Sequence, residues 1–166
     1  MQRPLIVITP KSLLRLPAAA STLDDFTSGG FQPLIDDIEI KTPETVDRIV
    51  LCSGKIYYDL VEARKKAGSD NVAIVRVEQF YPFPKKRLQE VLARYPSSQK
   101  LIWAQEEPKN MGGWTFVEQR LENLLTACAR PVYVGRSPSA SPATGSYAIH
   151  QAEQARLVEE ALGIRP

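Results

Sequence analysis

Five short apolar runs punctuate the chain: residues 5–9 (LIVIT), 48–52 (RIVLC), 71–77 (NVAIVRV), 100–105 (KLIWAQ) and 131–136 (PVYVGR). Each is bounded by breakers, and their apolar residues are largely consecutive rather than alternating with polar ones. That pattern predicts strands covered on both faces rather than strands with one wet face. Helical spacing fills the intervals. Residues 56–67 place Leu60, Ala63 and Ala67 on one face and end at Gly68, a natural left-handed stop. Residues 85–95 carry Leu88, Val91, Leu92 and Tyr95 and halt before Pro96. Residues 113–128 and 146–162 complete the set, with Phe116, Val117, Leu121, Leu124 and Leu125 on one and Ala155, Val158 and Leu162 on the other. Strands alternating with helices of this length define an α/β fold, a three-layer arrangement around a mostly parallel sheet of about five strands.

Two stretches break the rhythm. A short KSLLR turn follows the first run, and residues 27–46 then read as a long irregular connection holding Gly29, Gly30, Pro33 and Pro43. Such a length is expected to be functional, or to dock on something outside the chain and to be mobile without it. Residues 137–146 (SPSASPATGS) read as a loop.

Composition narrows the function classes. The 166 residues suit one domain, and 43% apolar with 24% charged residues is ordinary for a globular chain. A net charge of +2 gives no reason to expect nucleic acid or an anionic membrane as partner. No apolar run approaches the ~20 residues of a membrane-spanning helix, and the N-terminus lacks the parts of a signal peptide. The two cysteines, Cys52 and Cys128, and the single histidine, His150, form no metal-binding spacing and no disulfide framework. The expected location is a reducing, bacterial cytoplasm.

Candidate chemistry is sparse. Ser53-Gly54-Lys55 lies between a strand and a helix, where backbone N–H groups favour anions, but it lacks the glycines and the Lys-Ser/Thr pair of a phosphate loop. The plainer expectation is that Ser53 caps the helix and Gly54 makes the turn. Glu106 and Glu107 end the fourth run, at the sheet edge where α/β proteins bind ligands. As sequence neighbours they should point apart, a poor acid–base pair. Lys85, Lys86 and Arg87 open a helix, where the dipole disfavours cations, and Gln79 stands just ahead of the proline-fixed YPFP loop. This cluster is the best candidate for an anionic ligand such as a nucleotide or a coenzyme A phosphate. Trp114 reads as a packing anchor, and His150 as a satisfied structural histidine. No nucleophile with its base, no metal set and no Gly-Asp-Gly…Asn thiamine-diphosphate motif is present, so no catalytic, cofactor-binding or metal-binding residue is assigned.

Several segments resemble the C-terminal region of the first component of 2-oxoglutarate dehydrogenases. They are RPLIVITPKSLLR at residues 3–15, LCSGKIYYDL at 51–60, VAIVRVEQFYPFP at 72–84, WAQEEPKNMGGW at 103–114 and VGRSPSASPATGS at 134–146. The resemblance runs in order over nearly the whole chain. YPFP and the QEEP segment are shared more loosely with pyruvate dehydrogenases and transketolases.

The resemblance implies a transketolase C-terminal type of domain within a chain several times longer. That enzyme decarboxylates 2-oxoglutarate on thiamine diphosphate and magnesium, within the tricarboxylic acid cycle. It then hands the succinyl group to the lipoyl arm of a succinyltransferase in a multienzyme complex. Its cofactor and substrate sites lie in domains N-terminal to this one, so the isolated chain is expected to be inactive and to bind neither cofactor. Structural and homodimer-forming roles are implied, and Met1 directly before an apolar strand suggests an engineered start or a split gene. In the actinobacterial branch the same region helps to bind acetyl-CoA as an activator. The matching positions here are Gln79, Lys86 and Arg87, with Lys86 lacking the planar fork of an arginine. Gly30 and Pro33 stand where that branch has polar residues. Two other readings remain compatible with the residues: a stand-alone nucleotide- or coenzyme-A-binding regulatory module, and the matching domain of another thiamine-dependent 2-oxoacid dehydrogenase.

Overall fold

The computed structural model describes residues 4–7, 9–124 and 130–164. The chain divides into two compact units, Met1–Phe31 and Gln32–Pro166. In the first unit, two short 3-10 turns, Lys11–Arg15 and Pro17–Ala19, precede the helix α1, Leu23–Thr27. Thr22 opens α1 with a capping box: its hydroxyl accepts from the Asp25 N–H, while the Asp25 carboxylate accepts from the Thr22 N–H at 2.7 Å.

The second unit is a five-stranded sheet in the order β1-β3-β2-β4-β5. The strands are β1 Leu34–Ile35, β2 Arg48–Cys52, β3 Val72–Val77, β4 Lys100–Pro108 and β5 Val132–Arg136. Pairing is parallel throughout except between β1 and β3. The helices α2 Ile56–Ala67, α3 Lys85–Ala93, α4 Trp114–Glu122 and α5 Tyr147–Leu162 connect or follow the strands. Because successive side chains alternate across a strand, each consecutive apolar run feeds two cores. Leu51, Val75 and Trp103 join Leu88, Val91, Val117 and Leu121 of α3 and α4 on one face. Val50, Ile74 and Ile102 join Ile56, Leu60, Leu157 and Val158 of α2 and α5 on the other. Three layers and a mostly parallel sheet of five strands are therefore what the runs predict.

One strand differs. Of the first apolar run, Leu5, Ile6 and Val7 are exposed and belong to no strand, and residue 8 lies outside the described residues. The fifth strand is instead Leu34–Ile35, inside the stretch read as an irregular connection. A two-residue strand carries no periodic signal, and its pairing is specified by its neighbours. The carbonyl of Pro33 accepts the N–H groups of Glu78 and Gln79, each at 3.0 Å. Leu34 then pairs with Val77, and Ile35 with Arg76.

Beyond Ile35 a side chain replaces the strand. The buried Asp37 carboxylate accepts the Ile74 N–H at 2.7 Å, and buried Arg64 of α2 donates to the Val72 carbonyl at 2.9 Å. Asp37 and Arg64 pair with each other, and Arg64 also reaches Glu39 at 3.1 Å. Burial pulls the Arg64 pKa down, but its bonds to Asp37 and Glu39 outweigh that and leave it above the ordinary value. The Lys65 hydrogen bond, with help from Arg64, holds Glu39 below the usual carboxylate range despite partial burial. Leu34 and Val46 are buried and Ile40 packs on the core. Most of the expected mobile connection is thus packed on its own sheet, because β3 needs its outer edge covered. Two helices also stop short of expectation, α3 at Ala93 and α4 at Glu122. Residues 125–129, the end of the predicted 113–128 helix, lie outside the described residues.

Asp37→Ala strands the Arg64 guanidinium in a buried site and exposes the β3 edge. It should destabilise the chain by about 3–5 kcal/mol in urea denaturation. A loss under about 1 kcal/mol would show that the pair does not hold the edge.

Candidate functional site

Strand order reverses direction at β2. The chain moves outward from β2 to β3, then crosses back over β2 to β4, so the loops after β2 and β4 diverge. That divergence opens a crevice at the C-terminal ends of the central strands, the place where open α/β sheets bind ligands. A cleft of about 440 Å3 lies there, lined by Ser53 and Gly54 after β2, Phe80 after β3, Trp103, Gln105 and Glu107 of β4, and Gly112, Gly113 and Phe116 around the start of α4.

Gln105 organises the rim. Its side-chain oxygen accepts from Trp103 Nε1 at 2.8 Å and from the Trp114 N–H at 2.9 Å. Its amide donates to the carbonyls of Glu107, Pro108 and Met111. One buried side chain therefore ties β4 to the loop before α4 and occupies the first orphan N–H of that helix. The close approach explains the glycine pair. A Cβ on Gly113 would lie 2.7 Å from both Phe80 Cε1 and Trp103 Cζ2, and one on Gly112, whose φ is +68°, would lie 2.8 Å from Gln105 Nε2.

The two glutamates have different neighbours, although both border the cleft between β5 and α5. Glu106 pairs with Lys55 at the start of α2, and Glu107 borders the 440 Å3 cleft with its side chain exposed. They form no acid–base pair. Ser53 does not cap α2: the helix begins at Ile56 with Lys55 at the capping position and no side-chain cap bond, so Ser53 sits too far ahead. Gly54, at φ +78°, makes the turn as expected. Trp114 is 4% exposed and packs against Tyr133 at 5.4 Å, the anchor its sequence context predicts. Burial pushes the Tyr133 hydroxyl up to about 12, and that hydroxyl donates toward the Arg136 carbonyl at 2.8 Å.

A second cleft of about 370 Å3 lies across β4, between β5 and α5. Arg136 spans it, donating to the Glu106 carbonyl at 2.6 Å, to Thr144 Oγ1 at 3.0 Å and to the Pro142 carbonyl. These bonds pin the serine-rich loop of residues 137–146. Nothing in the spacing of the sequence marks Arg136 or Gln105 as hubs; a polar residue inside an apolar strand run is the one available signal. His150, half-buried, borders this cleft.

The cluster Gln79, Lys86 and Arg87 is not drawn into one pocket among the described clefts. The Gln79 amide donates to the Pro82 carbonyl at 2.7 Å, bracing the YPFP loop. Arg87 pairs with Glu90 at 3.1 Å, and Lys86 is exposed on the first turn of α3. Burial pushes the Cys52 thiol up to about 12, as suits the buried small hydrophobe its apolar run predicts. Among the described residues no group of three or more His, Cys, Asp or Glu could hold a metal ion, and no helix is long and apolar enough to cross a membrane.

Fold and crevice define a three-layer α/β domain with a ligand-sized opening at its switch point. Comparison with known proteins supplies the family. Residues 20–162 match the family described as "2-oxoglutarate dehydrogenase C-terminal". The "2-oxoglutarate dehydrogenase E1 component" of Geobacillus sp. (strain WCH70) is 49% identical over 162 residues, 96% of this chain and 17% of that protein. The "Oxoglutarate dehydrogenase" of Buchnera aphidicola subsp. Baizongia pistaciae is 46% identical over 99% of this chain and 18% of its own length. Among solved structures, a "Split gene transketolase, inactive beta4 tetramer" aligns with TM-score 0.49 at 17% identity, over 72% of this chain and 40% of that one, a likeness too slight to bear on function. The chain belongs to the 2-oxoglutarate dehydrogenase C-terminal family. It spans about one sixth of the length of the curated relatives it matches.

Gln105→Leu removes the acceptor for two N–H groups and the donor for three carbonyls. Urea denaturation should show a loss of at least about 2 kcal/mol, with a changed tryptophan fluorescence because both tryptophans touch this residue. An unchanged midpoint would mean that the rim is held by packing alone.

Proposed function

We propose that residues 1–166 belong to the C-terminal region of a thiamine-diphosphate-dependent 2-oxoglutarate dehydrogenase first component. In this reading the full-length polypeptide decarboxylates 2-oxoglutarate and succinylates the lipoyl group of its succinyltransferase partner. It works as a homodimer in the bacterial cytoplasm, and this domain serves assembly rather than chemistry. The observation that carries it is 46–49% identity to relatives of that name over 96–99% of the chain. The residues present do not fit the cofactors. No cluster of three or more His, Cys, Asp or Glu stands ready for a metal among the described residues, and the sequence has no Gly-Asp-Gly…Asn motif. Thiamine diphosphate and magnesium therefore belong, in this proposal, to the rest of the polypeptide, and no step is assigned to residues of this domain.

The 166-residue chain, given 2-oxoglutarate, thiamine diphosphate, magnesium and an artificial electron acceptor, should show no turnover, whereas the full-length polypeptide should reduce the acceptor. Turnover by the chain alone, or none by the full-length protein, overturns the proposal.

A regulatory role at Gln79, Lys86 and Arg87 is a second reading, supported by two exposed cations at a helix start with no acidic residue in its first turn. Titration calorimetry with acetyl-CoA and with AMP should give heat that Lys86→Ala with Arg87→Ala abolishes. No heat at millimolar ligand sinks this reading.

A further inference from the structure

The cleft at the strand ends is walled by rings and carries one charge. Phe80, Trp103 and Phe116 all line it. Phe80 meets Trp103 at 5.9 Å with the ring planes 71° apart, and meets Phe116 at 6.1 Å with the planes 74° apart. Rings set nearly at right angles make the corners of a box rather than a flat stack. A Cβ on Gly113 would lie 2.7 Å from both Phe80 and Trp103, so the rings keep these places only beside a glycine. The polar lining is sparse. Gln105 directs its oxygen to the Trp103 indole and the Trp114 N–H, and its amide to three carbonyls. Glu107 is the one ionisable side chain among the described lining residues, and it is exposed. The cations of the neighbouring elements are engaged: Lys55 with Glu106, and Arg136, across the second cleft that Glu107 also borders, with the Glu106 carbonyl, Thr144 and the Pro142 carbonyl. One ring of the set already holds a positive charge, since the Arg120 guanidinium lies 3.5 Å over the Phe116 ring.

We infer that this cleft binds a small organic cation with a flat or apolar body, an amidinium, a guanidinium or a substituted ammonium. Ring faces are electron-rich and attract positive charge, the more so where water is partly excluded. Glu107 supplies the counter-charge and accepts charge-assisted hydrogen bonds from the N–H donors of such a ligand. An anion meets the reverse: ring faces and a carboxylate that repel it, and no lysine or arginine among the described lining residues. That separates this cleft from exposed Lys86 and Arg87, whose chemistry suits phosphate. Its volume of about 440 Å3 falls within the roughly 300–1,000 Å3 usual for a small-molecule pocket. The site lies wholly within the larger unit and does not depend on the proposed function.

Benzamidine, benzamide and benzoate have one shape and carry a positive, no and a negative charge, so together they test it. Titration calorimetry on the native polypeptide should show benzamidine binding at millimolar concentration, benzamide binding about tenfold more weakly and no heat from benzoate. Glu107→Gln changes an exposed side chain, so the melting midpoint should hold while benzamidine falls to within about twofold of benzamide. Phe116→Leu should weaken benzamidine more than benzamide, because only the cation draws on the charge of the ring face. Absence of heat from benzamidine at millimolar concentration overturns the inference. Benzoate binding as tightly as benzamidine overturns it and makes the cleft an apolar slot blind to charge. A Glu107→Gln variant that keeps the full preference for benzamidine also overturns it, since the cation is then read somewhere else.

Discussion

The Asp37–Arg64 pair is the constraint on which most of the sheet depends. A parallel sheet cannot leave a long apolar edge open without inviting other chains to pair with it. β3 is that edge, and β1 covers only its last two residues. Asp37 and Arg64 finish the cover by taking the Ile74 N–H and the Val72 carbonyl. Because Arg64 sits on α2, the same contact ties that helix to the sheet and to the segment before β2. Burying two charges is costly, and mutual pairing with backbone partners on both sides offsets the cost. The cover continues to the other end of β3, where the Pro33 carbonyl holds Glu78 and Gln79 and so sets the start of the loop that brings Phe80 to the central cleft.

The crevice at the strand ends is shaped by a second polar group inside an apolar run. Gln105 satisfies the indole of Trp103, the first N–H of α4 and three carbonyls with one side chain. The groups that would be free to act on a ligand are largely engaged with one another. Glu106 is held by Lys55, and Arg136 by the loop it pins. An opening whose polar atoms close among themselves suits a scaffold, in keeping with the proposal that chemistry resides in other parts of the polypeptide. Exposed Glu107 and the uncapped start of α2 are the groups left facing the cleft.

The first thirty-one residues present the opposite case. Where the larger unit covers its apolar surface on both sides of a sheet, this unit leaves its largest side chains in water. The contrast is physical rather than compositional, since LIVI and VAIV are interchangeable as strand material. What differs is whether a neighbouring strand and two covering layers are at hand.

Four of the five strands, both faces of the core and the order of the four larger helices were legible in the sequence. Consecutive apolar residues and helical spacing are local signals, and burial on both sides of a parallel sheet leaves its mark at every position. The family resemblance was legible as well, in motifs running the length of the chain. The candidate site was legible only in outline. Glu106, Glu107 and Ser53 could be placed at the strand ends, but which of them pairs, caps or stays free depends on side chains fifty residues apart, as with Lys55 and Glu106. Tertiary structure alone decided that Leu34–Ile35 is a strand, that Asp37 replaces a strand's hydrogen bonds, and that residues 5–7, for all their apolar character, are not assigned to a strand. A strand exists only by virtue of its neighbours, and neighbours are a property of the fold rather than of the segment.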